Sequence, residues 1–148
     1  MKTFLLKKHS CVSREALFQI STDIENFKLI MPNYFKSLVV VKESLNHKFV
    51  DEEISFLGKT VNVKTKHVIA PPNIHEVYIL TGPLKGTFFI ENYEELESGT
   101  EVTITVSLTL NGFLRFVPFL KRIFVRRMEF VMTEFLICAE KFLKTKAL

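Results

Sequence analysis

The sequence predicts an α+β fold in which an antiparallel sheet is closed by one long C-terminal helix. Three observations carry this reading. Apolar residues alternate with a period of two across most of the stretch from Tyr34 to Leu110. Gly, Pro and Asn interrupt that stretch at short intervals, as hairpin turns require. The segment "NGFLRFVPFLKRIFVRRMEFVMTEFLICAEKFL" then changes to a helical period.

Residues from about Lys2 to Val12 read as a strand. Ser13 is suited to an N-cap for "SREALFQIS", where Leu17 and Ile20 lie three apart. Asp23 opens a second short helix, "DIENFKLIM", stopped by Pro32, which disfavours the helical region for its predecessor. Six strands follow: "FKSLVVVKES", "HKFVDEEISFLG", "KTVNVKTKHVIA", "IHEVYILTG", "TFFIENYEELE" and "TEVTITVSLTL". In the third of these, Val61, Val63, Thr65, His67 and Ile69 share one face. In the last, Val102, Ile104, Val106, Leu108 and Leu110 do. Short turns make these strands a meander with one apolar face, and only the C-terminal helix is large enough to cover it.

On a helical projection, Leu120, Met128, Val131, Phe135, Cys138 and Phe142 fall within about 40° of Phe124. Arg122, Arg126, Glu129, Thr133, Glu140 and Lys144 form a polar strip opposite. Pro118 fits at the start of this helix, where its missing N–H costs nothing. Arg127, Glu134 and Lys141 lie along one flank. They read as the rim of a cavity or as side chains snorkelling at the sheet's edge.

The chain of 148 residues suits one domain, and its 47% apolar and 24% charged residues are ordinary for a globular protein. Phe 15 with Trp 0 is not ordinary; it supplies large apolar surfaces without polar tips. A net charge of +4 is too small and too scattered to indicate nucleic-acid binding. Charges interrupt the long helix often enough to exclude an ordinary membrane span. The apolar block in "MKTFLLKKHS" is too short for a signal peptide, so a cytoplasmic protein is expected. Cys11 and Cys138 read as reduced, core or near-core residues. Lys121, Arg122, Arg126 and Arg127 cluster near the helix start and suggest transient contact with an anionic membrane surface. The oligomeric state is not encoded in any pattern found.

The order of strand, paired short helices, meander and long terminal helix resembles the START-like helix-grip superfamily. That group includes birch-pollen-allergen, polyketide cyclase/dehydrase and coenzyme Q-binding types. The resemblance covers essentially the whole chain, 1–148. Its carriers are "SREALFQISTDIENFKLIMPNYFKSLVVVKE", "GTEVTITVSLTL" and the terminal helix. It implies a curved sheet of about seven strands gripping the helix. It also implies a cavity for an apolar or amphipathic molecule: a lipid, isoprenoid, quinone or polyketide-like compound. Some members of the group catalyse cyclisation.

With that cavity, the inward positions become expected ligand contacts. On the strands these are Val63, Thr65, His67, Val77, Ile79, Phe88, Ile90, Ile104 and Val106. On the helix they are Phe124, Met128, Val131, Phe135 and Cys138. The strand around Phe88 is ambiguous. Phe88, Ile90 and Asn92 are taken as inward because Phe89, Glu91 and Tyr93 run into more charge. His67 and His75 are expected to approach each other, without a third ligand or helping carboxylate, so no metal or other cofactor is expected. His67 with Tyr78 or Glu91 are the candidate acid–base groups. Carriage of an apolar ligand is the leading expectation. A cyclase/dehydrase-like enzyme and a ligand-free protein-interaction module are the alternatives.

Overall fold

The computed structural model describes residues 2–146; Met1, Ala147 and Leu148 lie outside it. Strand β1 (Lys2–Ser10) leads into helix α1 (Arg14–Thr22), a 3-10 turn (Ile24–Asn26) and helix α2 (Phe27–Ile30). Strands β2 (Phe35–Glu43), β3 (His47–Phe56), β4 (Lys59–Ala70), β5 (Ile74–Ile79), β6 (Phe88–Leu96) and β7 (Gly99–Leu108) follow. A second 3-10 turn (Gly112–Phe116) precedes helix α3 (Leu120–Lys146). All strand pairings are antiparallel, in the order β1-β7-β6-β5-β4-β3-β2. The curved sheet holds α3 in the helix-grip arrangement that the resemblance implies.

Local chemistry explains the element ends. Ser13 caps α1, its hydroxyl accepting from the Ala16 amide at 3.3 Å. The second short helix is broken into a 3-10 turn and a single α-turn before Pro32. Gly99 turns the chain between β6 and β7 at φ +127°, and a Cβ there would stand 2.0 Å from the Ser10 carbonyl oxygen. Irregularities in β2 at Phe35/Ser37 and Val40/Lys42 bend this edge strand.

The core lies between the sheet and the helices. Leu17 and Ile24 anchor the short helices with no exposed surface, each contributing about 1.5–3 kcal/mol by burial. Val102, Ile104, Val106, Leu108 and Leu110 of the last strand and its exit are all buried. The buried line of α3 runs through Phe124, Met128, Leu136 and Ala139. Cys138 is half-buried, but Cys11 is exposed, contrary to the expectation of a near-core thiol. β1 ends at Ser10, so Cys11 sits in the bend before α1 and not on the inward face. No helix among the described residues is long and apolar enough to cross a membrane.

Candidate functional site

A cavity of about 310 Å³ separates the sheet from α3. Its roof is apolar. Phe124, Met128, Val131, Met132, Phe135 and Leu136 descend from α3. Phe124 stacks on Phe56, with centroids 5.3 Å apart. Phe135 meets Phe27 edge-on at 5.2 Å and Phe35 at 6.5 Å. The mouth is bordered by exposed Val61 and Asn62 of β4, by Gly82 and Pro83 of the β5–β6 loop, and by Leu114 of the second 3-10 turn.

The sheet wall carries a line of polar groups. Residues opposite one another in antiparallel strands share a face, and diagonal neighbours are also within reach. His75 stands opposite both Ile69 and Glu91, and His67 opposite Val77. A hydrogen-bonded chain therefore runs across β3, β4, β5 and β6. Thr65 donates to Glu52. His67 Nε2 lies 3.1 Å from Glu52 Oε2, and His67 Nδ1 lies 2.9 Å from His75 Nε2. His75 Nδ1 is 2.9 Å from Glu91 Oε1, to which Tyr93 donates at 2.7 Å. His67 and His75 are 3% and 2% exposed.

These contacts determine proton placement. With both carboxylates ionised, His67 must donate through Nε2 and His75 through Nδ1. Burial pushes the His67 imidazole below its ordinary value, more than Glu52 raises it. Burial alone would raise the Glu91 carboxyl; attraction to His75, with hydrogen bonds from His75 and Tyr93, holds it below its ordinary value. Burial, and then the Glu91 charge, push the Tyr93 phenol well up. Tyr34 is pushed up by burial and by Glu52, so both cavity phenols remain hydrogen-bond donors. Ser21 Oγ, also on the cavity wall, is buried near the Tyr93 hydroxyl without a well-formed hydrogen bond.

Val63, Thr65, His67, Val77, Ile79, Ile104, Phe124, Met128, Val131 and Phe135 all line this cavity. Phe88 and Ile90 do not: Phe89, Glu91 and Tyr93 face inward instead. Pairing with His75 turns Glu91 toward the cavity, and the alternation of the strand carries its neighbours with it. Tyr78 is also displaced, donating to Glu76 and stacking on Phe88 on the other side of the sheet. Val106 is fully buried in the core, and Cys138 lies past Leu136, where α3 is packed against core side chains. Glu52 is the residue that sequence reasoning missed. It lies in "DEEISF", whose acidic run reads as solvent-facing, yet it is buried against His67. The expectation that no carboxylate assists the histidines is corrected by Glu52 and Glu91. Arg127, Glu134 and Lys141 are not on the cavity wall.

The family model described as "Polyketide cyclase / dehydrase and lipid transport" matches residues 11–137. This chain belongs to that family. Its fold, that of the START-like group, is shared with solved structures of very different sequence. The Zhui aromatase/cyclase from Streptomyces sp. R1128 is similar with a TM-score of 0.85 at 10% identity, covering 99% of this chain and 96% of that one. A START superfamily protein from Mycobacterium smegmatis gives 0.79 at 9% identity, covering 97% of each chain. The di-domain ARO/CYC BexL from the BE-7585A biosynthetic pathway gives 0.81 at 14% identity. There the match covers 95% of this chain but 49% of that protein. No curated protein shows a significant match to the sequence. The family and its fold are consistent with ligand binding or cyclase chemistry in general terms.

Proposed function

We propose that the protein binds and carries an apolar or amphipathic small molecule between the sheet and α3. The observation that supports this reading is the cavity itself: an aromatic and methionine roof facing a single array of hydrogen-bonding groups. Its size falls at the lower end of small-molecule sites, and a few convergent polar groups in an apolar pocket are typical of them. The ligand has an apolar body against Phe124, Met128 and Phe135. One polar group reaches Ser21, Thr65 or the His67–His75 pair. A lipid, isoprenoid, quinone or polyketide-like compound fits this description. The whole chain, 1–148, is read as one domain acting in the cytoplasm, in keeping with two unpaired cysteines.

The polar chain favours a second reading, an enzyme of the cyclase/dehydrase kind. Two hydrogen-bonded histidines set between two carboxylates can take up a proton from a substrate and return it. In that case His67 and His75 exchange the proton, and Glu52 and Glu91 hold the rings in place.

Native mass spectrometry of the purified protein, followed by denaturing extraction, tests the carrier. An apolar adduct that survives purification is expected, and Phe124→Ser with Met128→Ser should reduce its occupancy. A clean mass together with no uptake of added fatty acid or quinone would overturn it. A carrier keeps most of its loading in His67→Gln, whereas an enzyme loses turnover.

A further inference from the structure

We propose that the mouth of the cavity is a docking surface for an anionic lipid bilayer, into which Phe113, Phe116 and Phe119 insert. These rings are 76%, 73% and 72% exposed. They flank Leu114, which lines the cavity, so one short segment faces both inward and outward. Exposed Ile123 follows on α3, while exposed Leu57 and Val61 lie on the β3–β4 hairpin, across the mouth. Among the described residues, the two non-glycine positions with positive φ are Leu57 at 52° and Phe119 at 65°. Bulky residues avoid this conformation, and it persists where the surroundings impose it. At both positions the side chain displayed is apolar and exposed.

Charge follows the same geography. The turn 57–60, the loop 80–87 and the segment 111–127 carry Lys59, Lys85, Arg115, Lys121, Arg122, Arg126 and Arg127, with no Asp or Glu. The opposite end, around the β6–β7 turn, carries Glu94, Glu95, Glu97 and Glu101, with Arg14 paired to Glu95. A molecule so polarised turns its mouth toward a negative surface. Arg115 lies 4.7 Å over the Phe116 ring and Arg122 lies 5.8 Å from that of Phe119. Phe116 and Phe119 thus each have a guanidinium beside the ring, matching acyl chains below and phosphate headgroups above. Docked in this way, the cavity opens onto the bilayer, and an apolar ligand crosses no water. The surface serves a carrier or an enzyme equally, so it does not depend on which reading of the cavity holds.

The chain contains no Trp, so Phe116→Trp provides a single fluorescent reporter. With phosphatidylcholine vesicles containing phosphatidylglycerol, its emission should shift to the blue and be quenched by brominated acyl chains. High salt should weaken binding strongly. Arg122→Glu with Arg126→Glu should weaken it more than tenfold, since each basic residue at such a surface contributes about fivefold. Phe113→Ser with Phe119→Ser should abolish quenching while circular dichroism and melting temperature stay unchanged. No blue shift with any vesicle, from protein shown to be folded, would overturn the proposal. So would equal binding to neutral and anionic vesicles. Self-association lost in the Phe113/Phe119 variant, without vesicle binding, would assign the surface to a second copy; saturable binding to an acidic protein instead would assign it to that class of partner.

Discussion

The two walls of the cavity are built on opposite principles. The sheet wall positions its groups by hydrogen bonds: Glu52, His67, His75 and Glu91 are each held by a neighbour on an adjacent strand, and Tyr93 by Glu91 on its own strand. The helix wall positions nothing by direction. Its Phe, Met, Val and Leu side chains are held by packing and can shift to suit an occupant. One wall is therefore intolerant of substitution and the other forgiving, although both line the same space. A site divided in this way can fix a polar group while accepting varied apolar bodies.

Removing one member of the sheet wall should have the largest effect. Glu91→Leu leaves His75 Nδ1 and the Tyr93 hydroxyl without their acceptor. A buried donor left without its acceptor costs about 1–3 kcal/mol, so losing the acceptor of two should cost about 3 kcal/mol, given the partial opening of Glu91 to the cavity. The urea midpoint measures it; a loss below about 1 kcal/mol would mean that the chain is solvated and not structural.

Truncation of the helix wall should cost less. Phe→Ala in a filled core costs about 3–5 kcal/mol. Phe135 already borders empty space, so Phe135→Ala should fall near 2 kcal/mol. Arg126→Ala, on the wet strip of α3, should change stability by less than about 0.5 kcal/mol. Equal, large losses for Phe135 and Arg126 would contradict the orientation of the helix.

The sharpest contrast is with pH. Burial keeps His67 neutral in the folded chain, whereas the unfolded chain takes up a proton near 6.5. Acid therefore favours the unfolded state from about that pH downward. Glu91, held below its ordinary 4.5, adds a second loss beneath that value. The melting temperature should thus fall by several degrees between pH 7.5 and 5.5, and His67→Gln should flatten that interval. An unchanged slope in the variant would assign the acid sensitivity elsewhere. The helix wall facing the cavity holds no titrating group to reproduce it.

Much of this contrast was legible in the sequence, and the reason lies in particular strands. β4 and β7 alternate cleanly, so Val63, Thr65, His67 and Ile104 were assigned to the inward face from pattern alone. The helix wall was readable because α3 has a broad apolar face. β6 was not readable. Both its faces carry large apolar residues, Phe88 and Ile90 on one and Phe89 and Tyr93 on the other. The deciding residue was Glu91, whose charge argues for solvent in one dimension and for His75 in three. Glu52 was lost for the same reason. Its partner His67 is fifteen positions away, and only the β3–β4 register brings them together. A pair of histidines on an inward face, with glutamates on the flanking strands, is the signal that could have revealed both.

The pairing of β1 with β7 has a consequence for the order in which the chain can assemble. Lys2 pairs with Leu108 and Ser10 with Thr100, so the first strand made must wait for the last. Such distant contacts slow folding, because the entropy of the intervening loop is lost before the contact forms. On a ribosome releasing about 5–20 residues each second, β2 to β6 emerge with neither β7 nor α3 to cover them. Their apolar face is then a temporary hazard for aggregation, and shortening α3 should prolong it. A chain of this topology should gain more from chaperones that shield nascent strands than a helical bundle of equal size would.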